Sequence, residues 1–237
     1  MDGILNRVDD EVSKYKLRDQ IELLAFRADC YVQQELFDRT VPDYERIIKI
    51  GLEMNDEEGL INAGAVGINL GLLVVREEPI RAVKYLDQSI EILQRVKTSY
   101  PDKLVQAMLH RAAIREHKLN VTIDKGIRDY EEALGIVRKY KLEIPEDEIK
   151  AVVGNLQRIY GVKNEPIKAE ALLTDFSEPW SIFNVANAYG IANDFEGYIR
   201  MGEKFLARVS NNPRYSVEIA MIKEGINYIQ KRDINFS

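Results

Sequence analysis

Apolar residues recur along the chain at intervals of three and four, and no window alternates strictly between apolar and polar positions. This pattern predicts helices throughout and no β-sheet. The clearest window is NVANAYGIANDFEGYIRMGEKFL, residues 184–206. Ile182, Val185, Ala186 and Tyr189 fall at i, i+3, i+4 and i+7, the buried face of a first helix, and Phe195, Ile199, Phe205 and Leu206 continue such a face on a second. Asn193-Asp194 between them suits a turn, because these short side chains bond nearby backbone and cap the helix that follows. Two helices this short cannot bury their apolar faces alone, so stacked copies are expected.

The seven prolines punctuate the pattern: Pro42, Pro79, Pro101, Pro145, Pro166, Pro179 and Pro213 each stand just before an apolar-periodic run. Proline is tolerated in a first helical turn and costly in the interior, so the prolines are expected to mark helix starts and to interrupt none. Thr40, Ser177 and Asn212 are candidate caps beside three of them, and Glu146, Asp147 and Glu148 after Pro145 suit the positive end of a helix dipole. Twelve helices fit: an N-terminal one over 1–17 with Ile4, Leu5, Val8, Val12 and Tyr15 on one face, five pairs over 18–210, and a last helix over 213–232.

The pairs align with one another. NLQRIYGVKNEPIKA (155–169) matches the first fifteen residues of the reference window without a gap, and it matches NLGLLVVREEPIRA (69–82) with one residue deleted in the latter. Internal duplication is the simplest account. Leu24, Ala28, Tyr31, Thr40, Tyr44 and Ile47 in the first pair, and Gly126, Tyr130 and Ala133 in the third, keep the large–small–aromatic and small–large–small spacing of the tetratricopeptide repeat (TPR), which the chain resembles. The departures are specific. The small residues Ala28, Gly71 and Ala112 are 43 and 41 residues apart, longer than the TPR unit of about 34. Gln157 stands at the small position of the fourth pair, and the second helix of that pair looks truncated before Ser177. Tyr198, Gly202 and Phe205 invert the usual small–large–small order. The resemblance implies an all-α fold: an α-α superhelix, a right-handed solenoid of about five antiparallel hairpins with an extra helix at each end, forming a single domain over 1–237. Another α-helical repeat with hairpins of similar length also fits the pattern.

Composition narrows the function. A hydrophobic fraction of 46% with 30% charged residues is that of a folded, soluble chain. The net charge of −6 argues against nucleic acid, whose phosphates require clustered cations. The longest apolar stretch, Ile68 to Val75, is too short to span a bilayer. A charged N-terminus and one cysteine, Cys30, point to a cytoplasmic protein. Cys30 itself is expected to be a small core residue.

No phosphate loop, nucleophile elbow or metal-ligand motif occurs, so no enzyme activity, metal or cofactor is expected. His110 and His117, two turns apart on one helix, are about 10.5 Å apart along its axis and cannot share a metal. The acidic pairs Asp9-Asp10, Glu57-Glu58 and Glu131-Glu132 fit solvated surface, and Trp180, Phe183 and Tyr189 are expected to fill the core beside the truncated helix. The TPR resemblance implies a concave groove lined by first helices. It places Asn69, His110, Asn155 and Asn184 two residues before the small position, Arg158 and Asn187 one residue after it, and Arg76 one turn beyond that in the second pair. Such amides and guanidinium groups can hold an extended peptide. On the last helix, Ile219, Ile222, Ile226 and Ile229 form one stripe. Val217, Met221 and Tyr228 form a second flank, a candidate oligomer surface, since a terminal helix should turn a polar face outward. The expected function is a non-enzymatic protein- or peptide-binding scaffold; the alternatives are a peptide-sensing regulatory domain, similar to bacterial signal-peptide receptors, and a self-assembling structural protein. Its expected partner is another protein or an extended peptide, with no nucleic acid or membrane.

Overall fold

A computed structural model describes residues 12, 15–119, 123–173, 179–210 and 212–234. Among the described residues there are helices and no strand. The expected N-terminal helix over 1–17 falls outside them except for residues 12 and 15–17, and Ser177 falls outside as well. The chain divides into two compact units, Met1–Ile144 and Pro145–Ser237, described in turn.

In the first unit the helices are α1 (Leu17–Gln33), α2 (Phe37–Met54), α3 (Glu57–Val74), α4 (Pro79–Gln94), α5 (Pro101–His117) and α6 (Ile123–Tyr140). Each packs on the next, and α3 also packs on α5, so first helices of successive hairpins adjoin. The positions expected to be small are fully buried at Ala28 and Ala112. A Cβ on Gly71 would lie 2.9 Å from Leu86 Cγ and 3.2 Å from the Ala82 carbonyl, so this site tolerates no side chain without repacking. Ionic ties cross two of the three hairpins. Arg27 on α1 grips Asp43 on α2, with Nε 2.8 Å from Oδ2. Arg111 on α5 reaches Asp129 on α6 through Nε at 3.0 Å and Nη2 at 2.6 Å, and Asp87 on α4 through Nη1 at 2.6 Å. Arg115 joins the same two carboxylates at 2.6 and 3.2 Å. Asp43 and Asp129 are buried, so their charges depend on these partners. The middle hairpin instead uses a buried hydrogen bond, in which Ser89 Oγ donates to the Gly64 carbonyl.

The second unit holds α7 (Glu146–Val162), α8 (Pro166–Glu170), α9 (Pro179–Ile191), α10 (Phe195–Val209), a 3-10 turn (Pro213–Tyr215) and α11 (Ser216–Ile234). Here α7 packs on α9, α9 on α10, and α10 on α11. The second helix of the fourth pair is indeed cut to five residues. Ile182, Val185, Ala186 and Tyr189 are buried as the spacing predicts.

Three hairpin turns repeat one backbone solution. Glu35, Asn164 and Asn193 take left-handed φ values of 58°, 62° and 57°. The residue after each donates its N–H to a tyrosine carbonyl five back: Leu36 to Tyr31 at 2.9 Å, Glu165 to Tyr160 at 2.8 Å and Asp194 to Tyr189 at 3.0 Å. This bond satisfies a carbonyl that the ending helix would leave orphaned. The turn after α3 is tighter, with Glu78 N–H bonded to the Val74 carbonyl at 2.8 Å, which matches the single deletion in that segment.

Several expectations are corrected. Pro42 lies inside α2 rather than at its start. Phe37 opens the helix a turn earlier, and Thr40 is no cap; its hydroxyl donates back to the Leu36 carbonyl at 3.3 Å. Pro213 opens the 3-10 turn, capped by Asn212 through Arg214 N–H at 3.0 Å. Cys30 is only half-buried. On α10 the buried face is Gly197, Met201, Phe205 and Val209, while Phe195 is exposed. The inverted order has a visible cause: a Cβ on Gly202 would lie 2.8 Å from Ile222 Cγ2, so the missing large residue is supplied by α11.

Candidate functional site

The proposed groove residues fall in different settings. In the first unit, Asn69 is exposed on α3 and His110 is half-buried on α5. Arg76 sits in the turn after α3, in a cavity of about 410 Å³ with Phe37, Pro42, Glu45, Glu78 and Arg81 that Asn69 does not line. The exposed imidazole of His117 lies with Nε2 3.8 Å from Glu116 Oε2. Among the described residues no group of three or more His, Cys, Asp or Glu could hold a metal ion, and no helix is long and apolar enough to cross a membrane.

In the second unit three of the predicted residues converge. Arg158 on α7 and Asn184 and Asn187 on α9 line one cavity of about 600 Å³, together with Trp180, Val162, Ile191, Tyr198 and Met221. Asn155 is half-buried on α7 but does not line it. The helix spacing explains the convergence: i and i+3 share a face, so Asn184 and Asn187 point the same way. Across from them, α7 approaches closely because Gly161 has no side chain; a Cβ there would lie 3.0 Å from Ala188 Cβ.

Trp180 was expected in the core and is 49% exposed. Its ring stacks on Phe183 at 5.2 Å, Phe183 meets Phe205 at 5.5 Å, and Phe205 meets Tyr215 edge-on at 6.1 Å. This chain of rings runs from the cavity wall through α9 and α10 to the 3-10 turn, and it holds Trp180 while leaving one face to solvent. Tyr198 spans from Gly190 to Gly225, where a Cβ would collide with its hydroxyl; burial raises its pKa above the ordinary phenol value. A smaller cavity of about 370 Å³ shares Trp180 and is lined by Lys150, Gly154, Ser181, Arg214 and Glu218.

Gln157 is the exception in this wall. It lines the larger cavity, is 0% exposed, and neither its Nε2 nor its Oε1 has a hydrogen-bond partner. An orphaned buried polar group costs about 1–3 kcal/mol, so the folded chain carries an amide that its own packing does not satisfy. The sequence signalled this position, since Ala28, Gly71, Ala112 and Ala186 stand where Gln157 stands. Its unmet amide was not legible.

At the far end of α8, the Glu170 carboxylate accepts two hydrogen bonds from Arg200, at 2.6 and 2.7 Å, and one from the Tyr189 hydroxyl. Arg200, then Tyr189, hold the Glu170 pKa down at about 2. On α11, Ile222, Ile226 and Ile229 are buried, whereas Val217, Met221 and Tyr228 are exposed.

Neither a protein-family model nor a curated protein matches the chain. Solved structures do. The nearly identical TPR-like repeats of a Podosopora anserina kinesin light chain candidate superpose with a TM-score of 0.56 at 18% identity, covering 84% of this chain and 97% of that one. BtubC (BKLC) from P. vanneervenii superposes at 0.55 with 17% identity, covering 83% of each chain. The fold is therefore the TPR-like all-α repeat.

Proposed function

We propose that the chain is a non-enzymatic protein-interaction scaffold, and that the trough of the second unit formed by α7, α9, α10 and α11 holds an extended segment of a partner protein. Repeats of this fold generally mediate protein–protein interaction, which supports the class of function but no particular site. The observation that carries the proposal is the meeting of Arg158, Asn184 and Asn187 in one cavity whose rim exposes Trp180, Val162, Ile191 and Met221. Apolar walls with a few convergent donors and acceptors are the usual make-up of a binding pocket. Asparagine amides pair with peptide N–H and C=O groups, and the apolar rim accepts a large side chain. Among the described residues, the side chains lining the two cavities include the cations Lys150, Arg158 and Arg214 and the carboxylate of Glu218, in a chain of net charge −6. A segment bearing an acidic residue complements that local sign.

Trp180 is the only tryptophan and lies on the trough, so its emission reports occupancy. Peptides of twelve residues selected by display against the purified protein should shift Trp180 emission to the blue, and the Asn184→Ala, Asn187→Ala double variant should bind them about tenfold more weakly. Binding with no emission change would move the site to another face. A blue shift that grows with protein concentration alone would identify a second copy of the chain, docked through Val217, Met221 and Tyr228, as the occupant instead.

A further inference from the structure

Gln157 combines three properties that core packing does not account for. It replaces a small residue, its carboxamide is buried with both donor and acceptor unmet, and it forms part of the wall of the 600 Å³ cavity. Side chains on a helix lean toward its N-terminus, which carries Gln157 toward Gly154, three residues earlier and on the same face. At Gly154 there is room: the nearest atom to a Cβ built there is Asn184 Nδ2, at 3.9 Å. Toward the C-terminal side there is none, because Gly161 is already against Ala188. Of these two sides the Gly154 one is open to the amide, and it has Asn184 beside it and also lines the smaller cavity.

Resting on the function proposed above, we infer that Gln157 is the specificity-determining residue of the trough, and that it turns out over Gly154 to pair with one peptide unit of the bound segment. Its Nε2 donates to that unit's C=O and its Oε1 accepts from the N–H, while Asn184 meets the segment from the opposite wall. A carboxamide and a peptide unit are complementary in this two-bond arrangement, and a charged or purely apolar ligand group satisfies only half of the amide or none of it. The unpaired state without ligand favours occupancy, because binding satisfies a group that the folded chain leaves orphaned.

The test uses the tightest display-selected twelve-residue peptide and a series of the same peptide in which each backbone amide in turn is replaced by an ester, removing one N–H. For Gln157→Leu, a near-isostere, we expect binding about tenfold weaker with an unfolding midpoint equal to or above that of the unsubstituted protein. A residue with only a packing role would instead lose stability and leave affinity alone. With the unsubstituted protein, one ester position should weaken binding well beyond its neighbours, and with Gln157→Leu that position should no longer stand out. Equal affinity for Gln157→Leu, or the same ester profile in both proteins, overturns the inference even where the asparagine variants still weaken binding. If the asparagine variants also bind the peptide unchanged, the trough itself is not the site and both proposals fall together.

Discussion

In the hairpins α1–α2 and α5–α6, an arginine just before the small residue of the first helix grips an aspartate on the second, Arg27 on Asp43 and Arg111 on Asp129. Counted from the small residue Ala186, the matching positions of α9–α10 hold Val185 and Met201, both fully buried. The first unit thus fixes two of its hairpins with directional, buried ion pairs. The second relies on side-chain shape: stacked rings, glycines that admit Tyr198 and Ile222, and one short helix in place of a full one. Ion pairs specify a single geometry and are costly to break once buried. It is in this shape-packed unit, between α7, α9, α10 and α11, that Arg158, Asn184 and Asn187 line a cavity.

The largest expected effect tests the ionic side of this contrast. Asp129→Ala leaves Arg111 and Arg115, whose side chains are only 13% and 11% exposed, sharing Asp87 in place of two carboxylates. Removing one member of a buried ionic cluster costs about 3–5 kcal/mol, read as a lower urea midpoint at unchanged slope. A loss below about 1 kcal/mol would mean that the surrounding apolar contacts fix α5–α6 without the ions. Replacing Asp87, Arg111, Arg115 and Asp129 together by apolar residues of similar volume should recover much of the loss, because no charge is then left unpaired.

A smaller effect should be shared by both units. Asp56 caps α3 by accepting from Gly59 N–H at 2.7 Å, and Asp194 caps α10 by accepting from Gly197 N–H at 2.9 Å. Asp56→Ala and Asp194→Ala should each cost about 1 kcal/mol and speed hydrogen exchange at Gly59 and Gly197 respectively. Equal losses place the difference between the units in their interhelix ties rather than in their helix starts. A loss in one variant only would show that one cap is replaced by other contacts.

Much of this architecture was legible in the sequence because it depends on short-range periodicity. The faces of Leu24–Ala28 and Ile182–Tyr189, the truncated α8, and the turn shared by Asn164 and Asn193 all follow from spacing and alignment within the chain. The misplaced residues depend on what lies across from them. Trp180 reads as core from its place on an apolar helical face, but only one face of its ring is taken, by Phe183, and the residue is 49% exposed. Phe195 fits a helical face as well as Met201 does, and only packing against α9 and α11 decides between them. Pro42 shows the limit of proline as a marker, since Phe37, Asp38 and Arg39 supply a helical turn ahead of it. Arg27 with Asp43 and Arg111 with Asp129 were visible as an Arg-Ala pair followed by an Asp-Tyr pair, but their connection needed the fold. Repeat position put Arg158, Asn184 and Asn187 on helix faces that line one cavity, whereas Arg76 lies off the helix in the tighter turn after α3.

The smallest effect concerns an ion pair of the second unit, Glu170 with Arg200, which sits at the surface. The Arg200 guanidinium and then the Tyr189 hydroxyl hold the Glu170 pKa at about 2, below the ordinary value of 4.5. A carboxylate whose folded pKa is depressed adds stability that is complete above the unfolded value and is lost as pH falls through the folded one. The contribution should therefore be full above pH of about 5 and fade between about pH 4.5 and 2. The Glu170 and Arg200 side chains are 30% and 54% exposed, so solvent screening reduces the pair to about 0.5–1 kcal/mol, well under the buried cluster at Asp129. Glu170→Gln should flatten the acid limb of the stability curve by that amount and leave the curve near pH 7 lower by the same amount. It should also be salt-sensitive where Asp129→Ala is not, since screening acts on exposed pairs and spares buried ones. Equal salt dependence in the two variants would remove the distinction between a charge-tied unit and a shape-tied one.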